Sequence, residues 1–389
     1  MLKEFLLDDS KRNQWKKSLY EYIHKEGPIS KADLLERFHV PPTTMTRFVD
    51  QLEVMNVIEV QGYGKSSGGR RPVLYGIRVD AGYLCGVEIA RTHVKVILVD
   101  MSFTPIGEKR FVLTEAHTPE VTINEIVETI QELMKEKSIT IEKLLGIGVG
   151  AVGPLNREKG IILHPGSFPA EGWHEVPIIS MLQKSFSVSI IVNNGASTAA
   201  LAEHHVSETD SSILYCISGY GIRCGYIHEG KFLSNKEGDA SSFGHIIVDA
   251  QGRDCFCGKK GCLTAYASFG AILEQRNGIL TLAKKLNSME DILSNIENQD
   301  EVMIDCVMKS AYYYGIGIAN MVNSLHPDVV LLHGRLINEF EPYYREVVRI
   351  ASEHVYLNDK VQIKKGALGE DATAIGGAIQ LFRQFLEGK

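Results

Sequence analysis

Between Gly244 and Cys262 the chain reads GHIIVDAQGRDCFCGKKGC, which sets Cys255, Cys257 and Cys262 in a C-x-C-x4-C array with His245 ten residues before Cys255. Three thiolates and an imidazole are the donor set of a closed tetrahedral zinc site, with no coordination position left for water. Gly252, Gly258 and Gly261 allow the turns that bring three sulfurs to one point. The plainer alternative is three free cysteines beside a surface histidine. Cysteines this dense, in a chain poor in them elsewhere, favour the metal. One structural zinc per chain is therefore expected, on His245, Cys255, Cys257 and Cys262. It would pin a loop against whatever His245 adjoins, which makes the neighbours of His245 the place to seek a ligand.

The other cysteines, Cys85, Cys216, Cys224 and Cys306, are scattered and form no disulfide framework. That points to a reducing, cytoplasmic setting. No apolar run is long enough to span a membrane, and the first ten residues lack a secretory pattern. With 389 residues, 44% of them hydrophobic, the chain can bury two or three cores. Charge is uneven. Residues 1–78 carry 13 Lys/Arg against 10 Asp/Glu, a balance of +3, so the net −7 leaves −10 on the remainder. A mildly basic head on an acidic body suggests a polyanionic partner for the head alone.

Apolar residues at Trp15, Leu19, Tyr22 and Ile23 follow a helical period that Gly27-Pro28 ends. Ser30 and Asp33 offer a cap and an acidic first turn to a short helix through Leu34, Leu35 and Phe38. After Val40-Pro41-Pro42 a third helix carries Met45, Phe48, Val49, Leu52 and Met55 on one face. Its other face begins with Thr43, Thr44, Thr46 and Arg47. Two short helices, the second presenting hydroxyls and an arginine at its start, suit a helix-turn-helix in a major groove. Val57–Gln61 and Val73–Ile77 then read as a hairpin, or wing, around GYGKSSGGRRP. Lys65, Arg70 and Arg71 on that glycine platform fit a narrow A·T-rich minor groove, the alternative being a solvated linker.

The stretch GPISKADLLERFHVPPTTMTRFVDQLEVMNVIE followed by SSGGRRPVLY resembles the winged-helix head of the ROK family (repressors, open reading frames and kinases), and the resemblance covers nearly the whole chain. Pro41-Pro42 departs from it, since the family more usually has a serine cap there. Proline is accepted in a first helical turn, so the helix start survives while one phosphate-contacting hydroxyl is absent.

From Gly82 onward β-rich runs alternate with helical segments, an α/β pattern. Tyr83–Ile89, Lys95–Asp100 and Lys109–Thr114 form a meander, Ile123–Lys137 a helix, and Leu144–Val149 and Ile190–Asn193 buried strands. Ile213–Ser218, Gly225–His228 and Lys231–Leu233 suggest a second sheet. Helical patterns fill residues 266–325, Val329–Leu332 is a late strand, and Ala374–Phe385 closes the chain as a helix. The resemblance implies an α/β class in which a winged helix-turn-helix (1–78) precedes an actin-like, ribonuclease H-like, two-lobed sugar-kinase fold (79–389).

A ROK kinase activates its acceptor hydroxyl with the aspartate of an Asn-Asp-Ala triplet. The matching triplet here is Asn194-Gly195-Ala196, and no carboxylate lies between Ile178 and Glu203. Glycine accepts no proton. The first phosphate turn, Asp-x-Gly-Gly-Thr in kinases, reads Glu88-Ile89-Ala90-Arg91-Thr92, where an arginine crowds the approach. The second survives partly as Gly219-Tyr220-Gly221-Ile222-Arg223, and a late Gly-Gly pair has become His333-Gly334. In the sugar pocket the resemblance retains Asn194 and His245. It puts Ser242 and Thr264 where the family has glutamates, and Gly166 where it has a second asparagine. His245 either ligates zinc alone or also touches ligand.

These readings lead to three expectations. The first is a transcription factor, a repressor of carbohydrate genes that binds double-stranded operator DNA through Thr43, Thr44, Thr46, Arg47, Lys65, Arg70 and Arg71. Its catalytically inactive body, a homodimer or homotetramer, would sense a sugar or sugar phosphate near Asn194, Ser242, His245 and Thr264. The second is a carbohydrate kinase tethered to DNA, and the third a regulator without an effector.

Overall fold

The protein is described by a computed structural model covering residues 2–65, 71–166, 168–207, 211–233, 240–279, 286–356 and 361–388. Helices α1 (Leu2–Leu7), α2 (Lys11–Glu26), α3 (Lys31–Phe38) and α4 (Pro42–Val54) open the chain, with strands β1 (Ile29–Ser30), β2 (Ile58–Tyr63) and β3 (Val73–Ile77) in a sheet of order β1-β3-β2. Ser30 caps α3 as the sequence suggests. Its hydroxyl accepts from Asp33 N–H at 3.3 Å, and Asp33 reciprocates at the Ser30 N–H. Helix α4 begins at Pro42 without a side-chain cap.

The chain continues with β4 (Tyr83–Ile89), β5 (His93–Val99), β6 (Pro105–Val112), α5 (Pro119–Glu136) and β7 (Leu144–Ala151). Short strands β8 (Leu155–Asn156), β9 (Ile161–Ile162) and β10 (Val176–Pro177) form a small sheet, followed by α6 (Ile178–Leu182), β11 (Ser189–Asn194) and α7 (Gly195–Val206). Next come β12 (Ile213–Ser218), β13 (Ile222–His228), β14 (Lys231–Phe232), α8 (Thr264–Ala267), α9 (Phe269–Ile279), α10 (Met289–Glu297) and α11 (Glu301–Leu325). Strand β15 (Val329–His333), α12 (Arg335–Glu339), α13 (Glu341–His354), β16 (Gln362–Lys365) and α14 (Ala372–Glu387) complete it.

Two five-stranded sheets share one plan. The first runs β11-β7-β4-β5-β6 and the second β14-β13-β12-β15-β16. In each, three consecutive strands form an antiparallel meander and two later ones add in parallel to the first. Helices α7 and α14 lie together between the sheets, α14 against β4 and β7, and α7 against β12 and β13. The crossing is close enough that a Cβ at Gly376 would strike the Thr198 carbonyl. Helix α5 packs on the outer face of the first sheet, sharing a core with Val87, Val94 and Val96; α11 shares one with Leu214, Cys216 and Leu332 of the second.

The N-terminal segment does not stand apart from this body. A single buried core joins Phe5, Leu6, Tyr20 and Ile23 to Ala378, Phe382 and Phe385. The periodicity of α2 placed Trp15 on its buried face, yet Trp15 is 49% exposed, whereas Lys17 and Tyr20 are buried. The reason is a second contact. The side of α2 carrying Lys17, Tyr20 and His24 docks on α14 and the β5–β6 turn, with the Tyr20 and Phe382 rings 6.2 Å apart. No described helix is long and apolar enough to cross a membrane.

Candidate functional site

Parallel pairing aligns the carboxyl ends of β4, β7 and β11, with Ile89 opposite Ala151 and Ala151 opposite Asn194. Loops that leave such an edge are where α/β sheets hold ligands. Asn194 caps α7, its Oδ1 accepting from Ala196 N–H at 3.1 Å. The residue is 1% exposed, and its Nδ2 is buried with no hydrogen-bond partner among the described residues. Its neighbour Asn193 is committed elsewhere, donating to Gln380 Oε1 at 2.9 Å.

Gly195 is not required by the backbone, since its φ lies outside the left-handed region. An added Cβ would meet the Thr373 methyl at 3.2 Å and the Ala151 carbonyl at 3.7 Å, so a side chain needs only a small shift of Thr373. The position that the resemblance assigns to the kinase base therefore lacks a carboxylate without steric need for glycine. Thr198 and Thr373 hydroxyls both donate to the Gly195 carbonyl, at 3.0 and 3.4 Å.

In the second sheet β12, β13 and β15 lie side by side. Ile217 pairs with Arg223 on one side and His333 on the other, which puts those two side chains on one face. Burial lowers the pKa of His333, and its ring stacks on Tyr215 at 6.1 Å. From the first sheet Arg91 reaches over the β4 edge, Nε donating to the Gly166 carbonyl at 2.8 Å. Sequence reasoning did not foresee this contact, because it joins residues 75 apart through a loop without local pattern. In that loop the His164 and His174 rings stack 4.1 Å apart.

Of the other residues read as ligand-binding, Ser242 is exposed in the turn Ala240–His245. Thr264 is buried, and its hydroxyl proton is spent on the Gly244 carbonyl at 2.9 Å. Gly244 in turn packs on Ile222 and Thr264, joining the cysteine loop to the Gly219–Gly221 turn.

The cysteine loop brings its four donors together. The ligand atoms of His245, Cys255, Cys257 and Cys262 all lie within 4.8 Å of one another. Cys257 and Cys262 sulfurs are 3.7 Å apart, and Cys255 Sγ is 3.6 Å from His245 Nδ1. A tetrahedron with bonds of about 2.3 Å to sulfur and 2.0 Å to nitrogen has edges of roughly 3.5–3.8 Å. The donors thus fit a four-coordinate, thiolate-rich metal ion. The loop needs glycine at Gly258 (φ +82°) and Gly261 (φ +73°), and a Cβ at Gly261 would also strike the Asp249 carbonyl.

At the N-terminal end of the chain, Thr43, Thr46, Arg47 and Asp50 are exposed along one side of α4, with Thr44 half-buried. Asp50 pairs with Lys31 at 2.8 Å. Lys65 and Arg71 are exposed at the two ends of the hairpin loop, and Arg70 lies outside the described residues.

Residues 84–384 match the profile of the ROK family. The chain belongs to the ROK family. It is 28% identical over 375 residues to the xylose repressor of Bacillus spizizenii, covering 95% of each chain. It is 25% identical over 331 residues to the DNA-binding transcriptional dual regulator NagC of Escherichia coli, covering 82% of this chain and 80% of NagC. Among solved structures, a ROK family transcriptional regulator, homolog of the E. coli MLC protein, superposes with a TM-score of 0.78 at 20% identity over 99% of this chain and 97% of its own. A ROK hexokinase from Thermus thermophilus superposes with a TM-score of 0.67 at 23% identity, covering 79% of this chain and all of the hexokinase. The ROK body is thus the fold of sugar kinases, and the likeness to the regulator extends over nearly the whole chain.

Proposed function

We propose that this ROK protein is a DNA-binding transcriptional repressor of carbohydrate genes whose sugar-kinase-like body senses a sugar or sugar phosphate and transfers no phosphate. Its head, residues 1–78, is a winged helix-turn-helix, with α4 as the recognition helix and β2–β3 as the wing. Thr43, Thr46 and Arg47 face outward to read base edges, with Thr44 beside them. Lys65, Arg70 and Arg71 hold the flanking backbone and minor groove. The repressor names of the relatives support the reading. So does a body whose kinase-base position is Gly195. The observation that carries it is the outward hydroxyl-and-arginine side of α4 in a segment beyond the kinase-like body.

The effector would sit at the carboxyl edge of the first sheet, at Asn194, with Ser242, His245 and Thr264 closing it from the second lobe. A zinc ion on His245, Cys255, Cys257 and Cys262 would fix the loop that carries His245 and ends two residues before Thr264; the metal's part is structural, since four protein donors leave no open position. The described cysteines are all free thiols, in keeping with a protein of the cytoplasm. Two copies of the chain would bind an inverted repeat. Selection of bound duplexes from a random pool tests the reading: an inverted repeat should be enriched, and Arg47→Ala should relax preference at particular positions.

A further inference from the structure

An acid stands in the middle of the outward side of α4. At about 3.6 residues per turn, Thr43, Arg47, Asp50 and Val54 fall on one line along the helix, because each step of three or four residues returns close to the same direction. All four are exposed, and an open groove runs along this side from Pro42 to Met55. Glu53, the other exposed acid of α4, lies off that line and in the last turn. Asp50 Oδ1 accepts from Lys31 Nζ at 2.8 Å, and Lys31 stands over the Tyr75 ring at 5.3 Å. One carboxylate oxygen is thereby tied to α3 and β3, with a positive charge beside it. The other, Oδ2, makes no hydrogen bond among the described residues.

A bare carboxylate pressed toward DNA is repelled by the phosphates, and most of the major groove refuses it as well. Guanine presents two acceptors there, thymine an acceptor and a methyl group, and adenine a donor with an acceptor beside it. Cytosine alone presents a donor, its N4 amino group, with no acceptor on the same base. We propose that Asp50 is a specificity residue, its free oxygen accepting from the N4 amino group of a cytosine in each operator half-site while Lys31 offsets its charge. A helix rises about 1.5 Å per residue and B-DNA about 3.4 Å per base pair, so that cytosine lies about one or two base pairs from the base Arg47 meets. This rests on the DNA-binding reading above and narrows it to one base. An ion pair that only braced α3 against α4 would act on every sequence alike, and that difference separates the two roles.

The full-length, metal-loaded protein and its variants select duplexes from a random pool. Affinities for the winning repeat and its single-base substitutions are then measured by anisotropy at fixed salt. The wild type should require cytosine at one position of each half-site. Any other base pair there, placed in one half-site, should weaken binding roughly 5- to 150-fold, the usual range for one mismatched pair. Asp50→Ala should lose that preference alone and bind the four versions of the repeat alike. Asp50→Asn, close in shape, should move the preference from cytosine to adenine, whose N6 and N7 suit an amide. Lys31→Met should weaken binding to every repeat and keep the cytosine. A selected repeat with no required cytosine, a cytosine preference kept by both Asp50 variants, or a loss in Asp50→Ala that is equal at every base would overturn the assignment and leave Asp50 a brace between α3 and α4. If the wild type selects no inverted repeat, the DNA-binding reading itself fails and the assignment with it.

Discussion

The Lys17 ammonium donates a hydrogen bond of 2.7 Å to the carbonyl oxygen of Phe385, joining the second helix of the chain to the last. The same ammonium pairs with Asp9 at 2.7 Å, and the Lys17 side chain is 1% exposed. It sits at the margin of the core that Tyr20 and Phe382 fill, so the head and the body are one packed unit. Lys17→Met keeps much of the volume but strands the carbonyl. A hydrogen bond from a charged group contributes about 1.5–3 kcal/mol. Thermal unfolding should show a loss of stability of that size, with the head released first. An unchanged unfolding profile would mean that the contact holds nothing.

A second contact at the same junction is pH-sensitive. His24 Nε2 lies 2.6 Å from the Met101 carbonyl, and the His24 and His205 rings are 6.1 Å apart. Burial lowers the pKa of both, that of His205 to about 4 from an ordinary 6.5. The unfolded chain therefore binds more protons than the folded one between those values, and stability rises with pH across that window. Acidification from pH 6.5 toward 4 should weaken the junction progressively. His205→Leu should flatten this part of the stability profile, and an equally steep profile in the variant would remove His205 from the account.

At the cysteine loop, elemental analysis should find about one zinc per chain. Cys257→Ser, or a strong chelator, should lower the melting temperature, because binding free energy at a closed site is also folding free energy. The effect should spread to the ligand edge, since Gly244, next to His245, packs on Thr264. A folded protein with unchanged stability after metal removal would refute the assignment.

Loss of kinase activity is predicted from Gly195 and Arg91. A missing general base costs roughly 10²–10⁴-fold in rate, before the altered phosphate turn is counted. Gly195→Asp fits sterically with a shift of Thr373, yet should not restore turnover by itself. ATP-dependent phosphorylation of a common sugar by the wild type at an ordinary turnover number would contradict this.

What the sequence disclosed, and what it hid, follows from where each signal resides. The Ser30–Asp33 cap, the strand through Leu144 and the convergence of His245 with three cysteines are written in local spacing, and the structure has them. Helix α7 was not legible. Its sequence GASTAALAEHHV has no apolar stripe, because it is wrapped by α14 and both sheets and nearly every position is buried. Helix α1 is one short run whose burial depends on the last helix of the chain. The Arg91–Gly166 bond and the docking of Lys17 on Phe385 join distant segments, and no periodicity encodes such contacts.

The account's central claim is that DNA binding by the head and ligand binding by the body are coupled in one chain. Anisotropy titration of a labelled inverted repeat, at fixed salt and with or without saturating sugar or sugar phosphate, tests it most directly. The account predicts sequence-specific binding that the ligand weakens by a factor of about 5–150, the usual range of coupling between sites. Operator DNA must then weaken the ligand by the same factor. A chain that prefers no sequence, or an operator affinity that no ligand changes, would contradict it.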